Sequence, residues 1–110
     1  MNSGIGMEIE PQALAEMINS HEKKPFLIDC REPWEYEIAR IEGATLIPMR
    51  QVPQSLELIP RNATVVVYCH HGMRSLNVVG WLRQQAIEAQ SLRGGIDCWS
   101  LDIDPTVPRY

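Results

Sequence analysis

Thr64-Val65-Val66-Val67-Tyr68 is a run of β-branched and aromatic residues with no charged or amide side chain alternating through it. A strand with one wet face alternates apolar and polar residues; one without alternation is buried on both faces. Such a strand needs a covering layer above and below, so the chain must build a sheet with helices on both sides. Phe26-Leu27-Ile28 and Thr45-Leu46-Ile47 have the same unalternating character and are read as further buried strands.

Helical segments fall between them. Pro11 to Ser20 opens with proline at a first helical position and sets Leu14, Met17 and Ile18 on one face. Residues 33–39 and 53–59 each begin with proline and are read as short helices. The longest signal runs from about Met73 to Ile87, where Ser75, Val78, Val79, Leu82 and Ala86 form a core-facing stripe. A strand-like piece around Ser91-Leu92 ends at Gly94-Gly95, and a last helical turn or two precedes Pro105 and Pro108. The predicted fold is α/β, a small, mostly parallel sheet flanked by helices on both faces. With 110 residues the chain is read as one domain, 1–110, with 1–6 and 105–110 peripheral.

Composition narrows the function. Ten Lys+Arg against fourteen Asp+Glu give a net charge of -4, which argues against nucleic acid as a partner. The balance is local, however: residues 61–93 hold Arg61, Arg74, Arg83 and Arg93 against Glu88 alone. That stretch is where a small anionic ligand is expected. No apolar run approaches the roughly 18 residues of a membrane span, and Met1 to Gly6 lacks the basic and apolar blocks of a secretory signal. Three cysteines, Cys30, Cys69 and Cys98, are an odd number without disulfide-framework spacing. The chain is read as cytoplasmic with reduced thiols.

The chemistry concentrates in Cys69-His70-His71-Gly72-Met73-Arg74-Ser75. A buried strand ends at Cys69, a tight turn containing Gly72 follows, and a helix starts near Met73. Ligands of open α/β sheets sit beyond the carboxyl ends of the strands, where Cys69 lies. The turn aims backbone N–H groups inward and the helix start adds its positive dipole end, so a Cys69 thiolate is stabilised. The backbone of His70, His71, Gly72 and Met73 is expected to line an anion or sulfur site, with Arg74 holding the anion or bracing the loop. The side chains of His70 and His71 are read either as donors at the mouth or as solvated loop histidines. The plainer reading of Cys69 itself is a small buried hydrophobe.

Three separated motifs resemble the rhodanese-like domains, single-domain sulfurtransferases. Cys69 to Arg74 followed by Ser75 resembles the family's six-residue loop C-x-x-G-x-R. Asp29-Cys30-Arg31-Glu32, Glu35-Tyr36, Ile41-Glu42-Gly43-Ala44 and Ile47-Pro48 resemble its D-x-R-x…E-[FY]…G-H-I-x-G-A…I-P signature, and Leu92-Arg93-Gly94-Gly95 with Trp99 its L-x-G-G…W ending. Ala39-Arg40 departs from the family's Gly-His and Glu42 from its Pro. The resemblance implies a parallel sheet wrapped by helices and a catalytic cysteine that cycles through a persulfide. The expected donor is a small sulfur anion such as thiosulfate; the expected acceptor is a thiol, cyanide or a partner protein, with no metal, organic cofactor or membrane involved. Phosphatases and arsenate reductases of similar fold resemble C-x5-R. Here four residues separate Cys69 from Arg74, a narrower ring that suits one sulfur atom. A non-enzymatic sulfur carrier of the same fold stands as the alternative.

Other residues carry two readings. Cys30, at another strand end, either packs there or resolves a Cys69 intermediate as a disulfide. Cys98 is read as packing, and Asp29 with Arg31 as a buried ion pair that orients loops. Trp34, Trp81 and Trp99 are read as core or rim. No C-x2-C or H-x3-H spacing supports zinc, and no C-x-x-C a thioredoxin-type centre.

Overall fold

The computed structural model describes residues 6–22 and 24–110, so residues 1–5 of the peripheral N-terminal stretch lie outside it. In chain order the elements are β1 (Glu8–Ile9), α1 (Pro11–Ile18), β2 (Phe26–Asp29), α2 (Pro33–Ile38) and β3 (Thr45–Leu46). Two 3-10 helices, Met49–Gln51 and Pro53–Leu58, lead to β4 (Val65–Tyr68), α3 (Met73–Gln84), β5 (Ala89–Leu92) and α4 (Gly95–Asp102). The sheet order is β1-β5-β4-β2-β3 and every pairing is parallel, so the sheet is wholly rather than mostly parallel.

β4 is the central strand, and its four residues are fully buried. Val65 and Val67 point to one face, where Val78, Val79 and Leu82 of α3 join Val52 and Ile59 from the 3-10 region. Val66 and Tyr68 point to the other, against Leu14 of α1 and Ile96 and Trp99 of α4. This two-sided burial is what the missing alternation required. Each buried valine contributes about 1.5–3 kcal/mol, so the strand that presents Cys69 is firmly anchored.

Local chemistry moved several boundaries. β3 lies at the sheet edge with Thr45 exposed, because an edge strand has one neighbour; of that run only Ile47 is buried. Residues 53–58 form a 3-10 helix. α3 stops at Gln84, before the end of its apolar stripe. The Ala86 N–H donates to the Arg83 carbonyl (3.1 Å) and the Ile87 N–H to the Leu82 carbonyl (3.0 Å), with Ala86 left-handed at φ 65°. This is a Schellman ending with alanine where glycine is usual. Ala86 is therefore exposed, and Ile87 packs into the core instead. β1, two residues long, is too short to leave a periodic signal. Among the described residues, no helix is long and apolar enough to cross a membrane.

Candidate active site

Gly72 turns the chain from β4 into α3 with φ 111°, a backbone conformation that side chains disfavour. The turn wraps the sulfur of Cys69, the first residue beyond β4. Cys69 Sγ accepts the N–H of Gly72 at 3.1 Å and of Ser75 at 3.3 Å, and Ser75 Oγ lies 3.3 Å away. Ser75 Oγ is itself held by Ser91 Oγ of β5 at 2.7 Å. The Cys30 thiol, one residue past β2, packs in the same buried cluster as this sulfur. The Cys30 thiol is the largest influence lowering the Cys69 pKa; burial opposes it, and the Ser75 hydroxyl and the two amides reinforce it, holding the pKa at about 5. Cys69 is only 2 % exposed, so a reagent must be slim to reach it.

The sign is fixed by the charge of the thiolate: it predominates above the pKa and is lost as pH falls through it. Alkylation of Cys69 by iodoacetamide, followed by peptide mapping, is expected to be half-maximal near pH 5 and level by pH 7. Cys30→Ala is expected to move that midpoint upward. A midpoint above 8 in the wild type contradicts the arrangement.

α4 holds the outer wall of the loop. The Ile96 N–H donates to the Cys69 carbonyl (2.9 Å) and the Asp97 N–H to the His70 carbonyl (3.1 Å). This approach is so close that a Cβ on Gly95 would collide with those same peptide groups. The Gly94-Gly95 pair thus has a mechanical reason: β5 must turn into α4 directly against the loop.

Arg74 does not project freely. Its Nη1 and Nη2 donate to Glu35 Oε1 (2.8 Å) and Oε2 (3.0 Å), and Glu35 Oε1 also accepts the Glu32 N–H at the start of α2. Burial raises the Glu35 pKa, but the Arg74, Glu32 and Tyr110 hydrogen bonds outweigh it and hold the carboxyl at about 2. Of the two roles left open for Arg74, the contacts are those of a brace.

Residues 105–110, expected to be peripheral, bring Tyr110 back onto this network. Its hydroxyl donates to Glu35 Oε2 (2.7 Å) and accepts from Arg31 Nη1 (2.8 Å), while its ring stacks on His70 at 4.0 Å. Tyr110→Phe leaves both charged groups short of a partner, and a loss of about 1–3 kcal/mol is expected. A lowered urea midpoint at unchanged slope is the readout; an unchanged midpoint speaks against these bonds.

The other predicted residues are distributed around the mouth. His70 is half-buried between the rings of His71 (4.0 Å) and Tyr110, and its Nε2 finds no hydrogen-bond partner among the described residues. Desolvation, then the neighbouring His71, lowers its pKa. His71 and Met73 are exposed, Met73 at 76 %. His70, His71 and Asp97 bring one ligand atom each within 4.8 Å, yet Asp97 is already clamped by Arg109 at 2.9 and 3.3 Å. Asp29 and Arg31 form the buried ion pair, Arg31 Nε to Oδ1 at 2.8 Å and Nη2 to Oδ2 at 2.6 Å. Trp34 is an exposed rim residue edge-on to Tyr110, whereas Trp99 is core. At the Ala39-Arg40 departure, the Ala39 carbonyl accepts from Arg31 (2.5 Å) and Arg40 stacks over Tyr36, which fills the turn in another way.

Glu35, Ser91 and Tyr110 were not anticipated as site residues. Glu35 was visible only inside the E-[FY] pair; Ser91 and Tyr110 left no local signal.

Comparison with known proteins agrees with this geometry. The Rhodanese-like domain model matches residues 10–102. The chain is 34% identical over 94 residues to a sulfurtransferase of Allochromatium vinosum, covering 84% of this chain and 87% of that protein. It is 31% identical over 93 residues to the thiosulfate sulfurtransferase GlpE of Haemophilus influenzae, covering 84% and 86%. Against longer curated relatives it spans 27% or 30% of their length. The crystal structure of a rhodanese-related protein from Thermoplasma volcanium superposes with a TM-score of 0.82 at 27% identity, covering 96% of this chain and 100% of that one. A cysteine cupped by the turn between a buried strand and a helix, three motifs in order and a family match over most of the sequence lead to one conclusion: this chain belongs to the rhodanese-like domain family.

Proposed function

We propose that the chain is a sulfurtransferase that moves a sulfane sulfur from thiosulfate or a similar donor to a thiophilic acceptor through Cys69. The Cys69 thiolate attacks the outer sulfur of the donor; a new S–S bond forms, the donor's S–S bond breaks, and sulfite leaves with the electron pair. Cys69 then carries a persulfide whose charge is met by the loop amides and the start of α3. A thiol or cyanide attacks the outer sulfur and returns Cys69 as thiolate, so the two half-reactions are of ping-pong type. The amides of Gly72 and Ser75 supply the cup, and Arg74 braces it through Glu35.

One observation carries this reading: two backbone N–H groups converge on Cys69 Sγ at 3.1 and 3.3 Å. A phosphatase role gains nothing from the site, because Glu35 engages both terminal guanidinium nitrogens of Arg74. The names of the two curated relatives above point the same way.

Intact-mass spectrometry after thiosulfate treatment is the direct test. A gain of one sulfur, removed by thiol or cyanide and absent from Cys69→Ser, is expected; a sulfur on Cys30 or Cys98 sinks the assignment. Transfer at comparable rates to cyanide and to a protein thiol marks an enzyme with small acceptors, whereas transfer only to a protein marks a carrier.

A further inference from the structure

Cys30 is the second sulfur at the site, and the fold places it against the first. β2 and β4 pair in parallel with Asp29 opposite Tyr68, and the Cys30 N–H prolongs the ladder by bonding the Tyr68 carbonyl at 3.0 Å. Cys30 and Cys69 are therefore the next residues along two adjacent strands. Side chains alternate across a sheet: Asp29 and Tyr68 share one face, joined by the Tyr68 hydroxyl at 3.0 Å. Cys30 and Cys69 share the other, in one buried cluster with Ile28 and Val67. Neighbouring strands run about 4.7–4.9 Å apart, inside the Cα separation of about 4.4–6.8 Å that a disulfide spans. Each thiol is also the largest influence on the other's pKa.

We propose that Cys30 is the resolving thiol of this site, attacking Cys69 Sγ whenever that atom has become electrophilic and closing a Cys30–Cys69 disulfide. From the persulfide, the Cys30–Cys69 bond forms as the bond between Cys69 Sγ and the outer sulfur breaks. The outer sulfur leaves with the electron pair and, with the Cys30 proton, as hydrogen sulfide. The sulfane sulfur is reduced and the two cysteines are oxidised, so no further oxidant enters. From a Cys69 sulfenic acid, formed when a peroxide oxidises the thiolate, the same attack expels hydroxide, which takes the Cys30 proton and leaves as water. Cys30 lies beside Sγ within the core, so its reach is to the inner sulfur, whereas an external acceptor meets the outer one.

In the resting site Cys30 is quiet. The neighbouring Cys69 sulfur comes first and burial second in raising its pKa. Once Cys69 Sγ is bonded to sulfur or oxygen, the thiolate that imposed the restraint is gone. The device discharges a persulfide that meets no acceptor and stops oxidation of a buried cysteine at a thiol-reversible stage.

The persulfide arm rests on the sulfurtransferase reading; the peroxide arm does not. The experiment treats wild type, Cys30→Ala, Cys30→Ser and Cys98→Ser with one equivalent of hydrogen peroxide or with thiosulfate alone, then maps acid-quenched peptides. With peroxide, wild type and Cys98→Ser are expected to lose two hydrogens and yield a dithiothreitol-reversible Cys30–Cys69 peptide, while the Cys30 variants accumulate oxygenated Cys69. With thiosulfate, the sulfur adduct is expected to last at least about tenfold longer in the Cys30 variants than in wild type, where sulfide and the same disulfide appear. Absence of the Cys30–Cys69 peptide after peroxide, or its loss in Cys98→Ser, overturns the proposal. Equal adduct lifetimes overturn it too. If peroxide links the pair but thiosulfate adds no sulfur to any variant, the resolving role stands and the sulfur-transfer reading fails.

Discussion

Cys69→Ser is expected to lower the rate of thiosulfate-to-cyanide sulfur transfer by at least about a thousandfold, with the fold intact. The loss is chemical rather than structural. A serine hydroxyl occupies nearly the same space and accepts the same N–H groups from Gly72 and Ser75. Together with the Cys30 thiol, the largest influence, and the Ser75 hydroxyl, those groups bring a thiol to a pKa of about 5, but a hydroxyl starts so much higher that the same stabilisation leaves it protonated at neutral pH. Oxygen also cannot carry the sulfane atom as a persulfide. Initial rates at saturating donor, with circular dichroism to verify the fold, provide the measurement. A variant that keeps a tenth of the wild-type rate while folded shows that the sulfur passes elsewhere.

Arg31→Met is expected to destabilise the fold by about 3–5 kcal/mol, the largest stability effect of any single substitution considered. Arg31 is 0% exposed. Its five donor contacts include the Asp29 carboxylate from both Nε (2.8 Å) and Nη2 (2.6 Å), the Ala39 carbonyl (2.5 Å) and the Tyr110 hydroxyl (2.8 Å). Methionine fills part of the volume but leaves the Asp29 carboxylate buried with the Tyr68 hydroxyl and the residue-31 amide as partners. An uncompensated buried charge costs more than the pair itself contributes. The double variant Asp29→Leu/Arg31→Met is therefore expected to be more stable than Arg31→Met alone. In a domain of this size the single change shifts the melting temperature by about 4–8 °C per kcal/mol. Urea titration of wild type and the three variants of the cycle measures the coupling; a single-variant loss under 1 kcal/mol contradicts the buried pair.

How much of this was readable in the residue order differs from element to element. β2, β4 and α3 were legible because each obeys a local rule: continuous apolar residues for strands buried on both sides, a recurring stripe for the helix. Cys69, Gly72 and the helix start were legible because a turn is a few consecutive residues. β1 was not, since two residues, Glu8 and Ile9, contain no period, and their pairing with Ser91 and Leu92 spans most of the chain. The end of α3 was missed because a left-handed Ala86 breaks the usual preference for glycine there. At the site, Arg74 was visible but its partner was not. Glu35 lies 39 positions away, and Tyr110 lies 79 from Arg31.

The residue order alone determined that a parallel sheet must be covered on both faces and that a tight turn must follow Cys69. Only the tertiary structure decided what surrounds that sulfur: the Cys30 thiol, the Ser75–Ser91 pair, the α4 amides on the loop carbonyls and the Glu35–Arg74–Tyr110 brace. The reason is physical. Backbone preferences and apolar periodicity act over a few residues, whereas these partners are made neighbours by sheet register and helix docking, which depend on packing the whole core at once.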